Sequence, residues 1–204
     1  MDDVDTEERT TMDAAQEYRE TAARFTQLVD GVPDDATWDA RSPVPAWTAR
    51  DVVGHLVGWF PSFLSGGAGV DLPSGPDVGT DPAGAWRTMS DGVQALLDDP
   101  ATAGKELVNP YIGTVPLPEA VSRFFTTDVF LHTWDLARAT GQDERLDPDR
   151  CAALLEGMLP LDELLRTSGQ YGPRVDVAED ADPQTRLLAF IGRDVAAPRQ
   201  ATEA

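Results

Sequence analysis

Four long stretches of this chain place apolar residues three or four positions apart, and almost nothing in it alternates with the period of two that a half-buried strand requires. The first runs from about Met12 to Val29, with Ala15, Tyr18, Ala22, Phe25 and Val29 on one side, and Gly31 and Pro33 stop it. The second begins near Ala49, where Thr48 reads as an N-cap and Asp51 as the acid of a capping box. Its stripe is Val52, Val53, Leu56, Phe60, Phe63 and Leu64, with Gly66-Gly67 as the expected end. Asp81-Pro82 opens the third, through Trp86, Met89, Val93, Leu96 and Leu97, and Pro100 closes it. Pro118 opens the fourth, whose apolar side is Val121, Phe124, Phe125, Leu131 and Leu136, with Gly141 as the stop.

The cap-and-proline signal recurs twice. Asp147-Pro148 precedes one further helix with Leu154, Leu155, Met158, Leu161, Leu164 and Leu165, ending at Gly169. Asp182-Pro183 precedes a short terminal helix with Leu187, Leu188, Phe190 and Ile191. These elements predict an all-α fold: an antiparallel four-helix bundle with long loops and a short C-terminal helix. One domain covers residues 1–204, with a disordered start over about 1–9 and a flexible tail over about 195–204. Pro43 and Pro45 argue against regular structure around Trp38 to Trp47. Gly66 to Thr80, with five glycines, two aspartates and two prolines, reads as a long mobile loop of the kind that covers a site. Val108 to Pro116 reads as extended or irregular. Within Tyr171 to Ala178 the alternation of Val175 and Val177 predicts a short strand.

Charge limits the partners. Thirty-six acidic residues against 16 basic ones give a net charge of -20, a field that repels phosphate backbones, so nucleic acid is not an expected partner. No apolar run approaches a bilayer span, so no membrane is expected either. The acidic N-terminus lacks the basic and apolar regions of a secretory signal, and the expected location is cytoplasmic. A lone Cys151 agrees with that, since it cannot form an internal disulfide; it reads as a small buried apolar residue rather than a nucleophile.

The chain has two histidines. His132 lies four residues after Asp128, which on a helix puts imidazole and carboxylate one turn apart on one face. The plainer reading is a surface ion pair worth a few tenths of a kcal/mol, but both residues interrupt an apolar stripe, where an uncompensated carboxylate is costly. His55, alone, reads as a histidine bonded to a carbonyl or to Asp51. Any imidazole metal site must use both histidines, and the facing helices of a bundle are where such sites are built. His55, Asp128 and His132 are therefore the candidate metal ligands, a two-histidine, one-carboxylate set with open positions. Asp135 is a candidate to hold an imidazole N–H from behind. Trp59, one turn beyond His55, is a candidate pocket residue, while Trp47 and Trp134 read as packing.

The segments Trp47 to Leu56 and Asp128-Val-Phe-Leu-His132-Thr-Trp134-Asp135-Leu-Ala-Arg-Ala-Thr-Gly141 resemble the actinobacterial branch of the DinB-like superfamily, which includes mycothiol-dependent maleylpyruvate isomerase. The similarity continues through Gly113 to Pro118 and through Ala181 to Asp194. It implies a four-helix bundle with a divalent metal on His55, Asp128 and His132. The isomerase has glutamate at the position of Asp128, and a further C-terminal domain for which this chain is too short. The implied chemistry is a metal, zinc with nickel or iron as alternatives, that binds a low-molecular-weight thiol such as mycothiol and presents it to a small electrophile. A metal-dependent thiol transferase or isomerase is thus the first expectation, and no residue of the chain itself is assigned as the catalytic nucleophile. A non-catalytic metal-binding or ligand-sensing module is the alternative, and a non-haem iron oxygenase ranks last. A homodimer is an expectation by analogy only.

Overall fold

The computed structural model describes the backbone of residues 2–197 and the side chains of residues 13–197. Four helical rods build the main body. Helix α1 spans Asp2–Asp30, α2 Ala49–Ala68 and α3 Pro82–Asp98. The fourth rod is continuous but not uniform: α4, Leu117–Ala120, runs into a π-helical stretch, Val121–Thr126, and then into α5, Thr127–Ala139. Helix α1 packs on α3 and α5, and α2 packs on the same two, so α1 and α2 stand at opposite corners of the bundle. The expectations for loose ends over about 1–9 and 195–204 fall mostly on residues outside the described backbone or side chains.

Aromatic side chains from three rods fill the centre. Phe60 of α2 stacks on Phe125 of the π-helical stretch at 4.2 Å and 7°, and Tyr18 of α1 meets the same ring at 5.9 Å. All three are fully buried. Burying a side chain of this size stabilises the fold by about 1.5–3 kcal/mol. Phe25 and Trp86 close the α1–α3 side at 4.5 Å, and the Trp86 indole N–H donates to Thr26 Oγ1 at 2.8 Å. The helix entries follow the capping chemistry: Asp81, Asp147 and Asp182 each accept a bond from the backbone N–H three residues on, with proline next in sequence.

A second, smaller core lies on the outer side of α5. Helices α6, Pro148–Met158, and α8, Pro183–Phe190, pack together, and Leu146, Cys151, Leu155, Leu187 and Leu188 meet Phe130, Leu131 and Trp134 of α5. Val129, Leu136 and Ala137 of α5 face the bundle. Helix α5 is therefore buried on both sides. Leu131 belongs to this outer core, not to the stripe shared with Val121 and Phe125.

Three expectations are corrected. Helix α2 does not end at Gly66-Gly67; it ends at Ala68, capped by Gly69 at φ 62°, and Gly67 serves instead for close approach, since a Cβ there would lie 2.9 Å from Leu107 Cγ. That leucine sits in a hairpin of β1, Glu106–Asn109, and β2, Gly113–Pro116, where Leu107 pairs with Val115. The helix expected from Asp147 to Gly169 is broken after Met158 by a 3-10 turn, Leu159–Leu161, before α7, Asp162–Thr167. Pro160 has no N–H to continue the ladder, and Leu159, Leu161 and Leu164 are left exposed. Residues 171–178 form no strand; Val175 N–H makes one bond to Ala189 O, and Pro173 has no N–H to give.

The connection from α2 to α3 is fastened along these helices. Pro73 packs on Gly92, Gly75 on Ala85 and Thr88, and Arg50 donates to the carbonyls of Val78 and Gly79. Among the described residues no helix is long and apolar enough to cross a membrane.

Candidate metal centre

The site forms where α2 faces α5. Thr48 caps α2 by accepting from Asp51 N–H, and the Asp51 carboxylate accepts from Thr48 N–H at 2.8 Å. Asp51 is thus committed to the helix start and is not the partner of His55. Val52, Val53, Leu56 and Phe60 anchor the buried stripe, which leaves His55 and Trp59, one turn apart, along its edge toward α5. His55 Nε2 lies 3.0 Å from Asp128 Oδ2, and Trp59 Nε1–H donates to the same oxygen at 2.9 Å.

The π-helical stretch sets where Asp128 points. Thr126 Oγ1 bonds the carbonyl of Val121 at 3.3 Å and Thr127 Oγ1 that of Ser122 at 3.2 Å, each reaching back five residues. One extra residue in the winding turns everything beyond it by about 100° about the helix axis. Phe125 can then stack in the bundle core while Asp128 and His132 aim at His55. His132 Nε2 lies 3.5 Å from Asp128 Oδ1. One donor atom from each of His55, Asp128 and His132 lies within 4.8 Å of the other two. Ion-to-ligand bonds of about 2.0–2.2 Å in a tetrahedral or facial set put donors about 2.8–3.6 Å apart, so holding one divalent ion would require the trio to draw inward by about 1 Å. Two imidazole nitrogens and a carboxylate oxygen are a donor set of the right chemistry for such an ion.

Behind His132 lies a second carboxylate. His132 Nδ1 is 2.9 Å from Asp135 Oδ2; a carboxylate only accepts, so Nδ1 carries the proton and Nε2 is turned toward Asp128. Asp135 is fully buried, and Arg193 grips it with two prongs, Nε to Oδ1 and Nη2 to Oδ2, both at 2.9 Å. Arg193 follows α8, and Gly192 at φ 89° makes the turn that sends it back to α5.

Electrostatics follow this geometry. Burial works against the charge on Asp128, but the His132 imidazole and the contact from His55 outweigh it and hold the carboxyl below its ordinary range. Burial also works against protonation of His132, yet Asp128 and Asp135 together raise its pKa. For Asp135 the burial cost is outweighed by Arg193 and His132, and its pKa is lowered.

Aromatic rings wall the trio. Trp47 lies 5.0 Å from His55 and stacks on His132 at 5.7 Å, so it belongs to the site rather than to general packing. It follows Ala46, which holds a left-handed φ of 67° within the turn closed by the Arg41–Thr48 bridge. Strain of this kind persists where the surroundings fix a side chain. Trp59 meets Phe60, Phe63 and Phe125 edge-on, while Trp134 is buried in the outer core. Tyr171 packs against that outer core; burial pushes its phenol up to about 12, and the Asp128 carboxylate adds to the shift. The Cys151 thiol is pushed up to about 11 by burial. Sequence reasoning missed Arg193, Tyr171, the role of Trp47 and the π-helical stretch. The signals were faint: a glycine before Arg193, and two adjacent threonines at 126 and 127.

The model of the mycothiol maleylpyruvate isomerase N-terminal domain family matches residues 18–137, and the chain belongs to that family. It is accordingly a mycothiol-related, DinB-like domain. His55, Asp128, His132 and Asp135 fall inside the matched span; Tyr171 and Arg193 fall outside it. Two uncharacterized proteins of Mycobacterium tuberculosis, from strains CDC 1551 / Oshkosh and ATCC 25618 / H37Rv, are each 26% identical over 202 residues, covering 90% of this chain and 100% of the relative. No solved structure matches the chain.

Proposed function

We propose that this protein binds one divalent metal through His55, Asp128 and His132 and acts as a metal-dependent thiol transferase or isomerase, taking a low-molecular-weight thiol of the mycothiol type and a small electrophile. The observation that carries the reading is the convergence of these three side chains on one point, with His132 held from behind by Asp135. Bound there, zinc, nickel or iron supplies a Lewis acid with open positions that lowers the pKa of a thiol.

The chain's own residues have separate parts. His55 and His132 turn Nε2 inward, and Asp128 supplies the balancing negative charge. Asp135 keeps the Nδ1 proton of His132 in place, which leaves Nε2 free as a donor. Trp47 and Trp59 present apolar ring surface beside the trio, which limits water around a reacting sulfur. The Trp59 N–H also fixes the direction of the Asp128 carboxylate.

Metal content of the wild type and of His132→Ala, followed by thiol-dependent consumption of an electrophile, tests the reading. About one equivalent of metal and turnover, both lost in His132→Ala, is the expected result. Turnover that survives the substitution refutes the mechanism. A metal-binding module without turnover is the second reading. It is favoured by the way Asp128 already links side chains of α2 and α5, so that an ion there would brace the two helices. It predicts a large fall in melting temperature on chelation with no consumption of electrophile.

A further inference from the structure

Helix α8 and the turn after it belong to the outer layer, yet they reach the centre of the bundle through one side chain. Arg193 is held in place from several directions. Its backbone N–H bonds to Leu188 O at 2.8 Å, and Arg138 donates to Val195 O at 3.1 Å two residues later. Gly192 is pressed against Gly172, where an added Cβ would lie 2.9 Å from Gly172 Cα, so the two chain segments cross backbone to backbone. The guanidinium has 11% side-chain exposure and spends two of its donors on the two oxygens of Asp135, which is itself inaccessible. Oδ2 also accepts from His132 Nδ1. Asp135 therefore has no rotational freedom left: Arg193 fixes the carboxylate plane, and the carboxylate fixes the ring of His132.

We propose that Arg193 is the positioning residue of the metal centre: through Asp135 it sets the orientation and tautomer of His132. This rests on the metal reading of His55, Asp128 and His132. Arg193 touches neither metal nor substrate. It acts by holding the Asp135 carboxylate aligned on His132, so that Nδ1 holds the proton and Nε2 remains the donor. A two-pronged contact does what a point charge cannot, because only the planar fork fixes both oxygens at once.

The test is competitive zinc titration of the stripped full-length protein, with the visible absorption of the cobalt-loaded form as a readout of ligand geometry. Wild type, Arg193→Met, Arg193→Lys and Leu187→Ala are compared. Leu187 is fully buried in the same outer core and takes no part in the hydrogen bonds among Arg193, Asp135 and His132, so its truncation loosens the layer and leaves the grip on Asp135. Arg193→Met is expected to weaken zinc about 10–100-fold and change the cobalt spectrum. Arg193→Lys is expected to recover part of the loss, and Leu187→Ala to lower the melting temperature while binding zinc with wild-type affinity. If Arg193→Met does not fold, Arg193→Lys carries the test, and wild-type affinity in it overturns the proposal. Wild-type zinc affinity in Arg193→Met, or an equal loss in Leu187→Ala, overturns the proposal alone. A wild type that takes up no stoichiometric metal overturns the metal reading and the proposal with it.

Discussion

Replacing Asp135 by asparagine removes one charge and almost no volume from the most enclosed polar group of the site. Its carboxylate accepts three bonds, from His132 Nδ1 and from Arg193 Nε and Nη2, all at 2.9 Å. Charge-assisted bonds are worth about 1.5–3 kcal/mol each, but desolvating the two ions takes back most of that sum. What remains is the cost of leaving the guanidinium buried without its counter-charge, about 3–5 kcal/mol. Against a total stability of about 5–15 kcal/mol, such a variant still folds but sits well below wild type. Urea unfolding near pH 6 measures the difference. Because the Asp135 pKa is lowered in the folded state, its contribution is complete above the unfolded value of about 3.9 and is lost as pH falls through the folded value. The gap between wild type and variant therefore narrows in acid. Adding Arg193→Met removes the stranded charge, so the double variant is expected to lose about 2 kcal/mol less than the sum of the singles. A loss under about 1 kcal/mol for Asp135→Asn, or additivity within about 0.5 kcal/mol, refutes this account.

Metal affinity is expected to fall on acidification and to begin falling at a higher pH than for an ordinary histidine site. His132 must give up a proton to bind, and its ion-free pKa is raised; a titration series from pH 8 to pH 5.5 with flat affinity contradicts this. The same shift has the opposite consequence for the ion-free fold: the stability it contributes is present below the unfolded pKa and fades as pH rises through the folded one. Cys151, buried and with its thiol pushed up to about 11, is expected to resist iodoacetamide at pH 8 until the protein unfolds, and mass spectrometry showing rapid native labelling would count against the outer core as described. Asp51→Ala is expected to cost about 1 kcal/mol through loss of the capping box while leaving zinc affinity unchanged. A matching loss of zinc would mean that Asp51 acts on His55 after all.

The helical rods were legible because capping and period are local. Thr48 with Asp51, and the three Asp-Pro pairs, mark four helix starts, and the stripes through Phe25, Phe60 and Val93 mark buried faces. The trio was legible for a different reason: only two histidines exist, and one has a carboxylate a turn away. What could not be read was long-range. Arg193 meets Asp135 across 58 residues, and nothing near either position announces the other. Leu131 could not be assigned to the outer core because a helix buried on both sides has no single stripe. The π-helical winding before Asp128 depends on packing of which the adjacent Thr126 and Thr127 were only a faint local sign, and Pro160 was the break that residue chemistry alone flags.

The sharing of α5 between two cores bears on how the protein opens. Helices α6 and α8 can lift away only by uncovering Phe130, Leu131 and Trp134, three large side chains each worth about 1.5–3 kcal/mol in burial. The bundle beneath keeps Tyr18, Phe60 and Phe125 packed throughout such an event. Amide exchange should then divide the molecule into two cooperative units, with α6 and α8 releasing their protons together through partial opening. The amides of α5, inside both units, are protected until the whole chain unfolds.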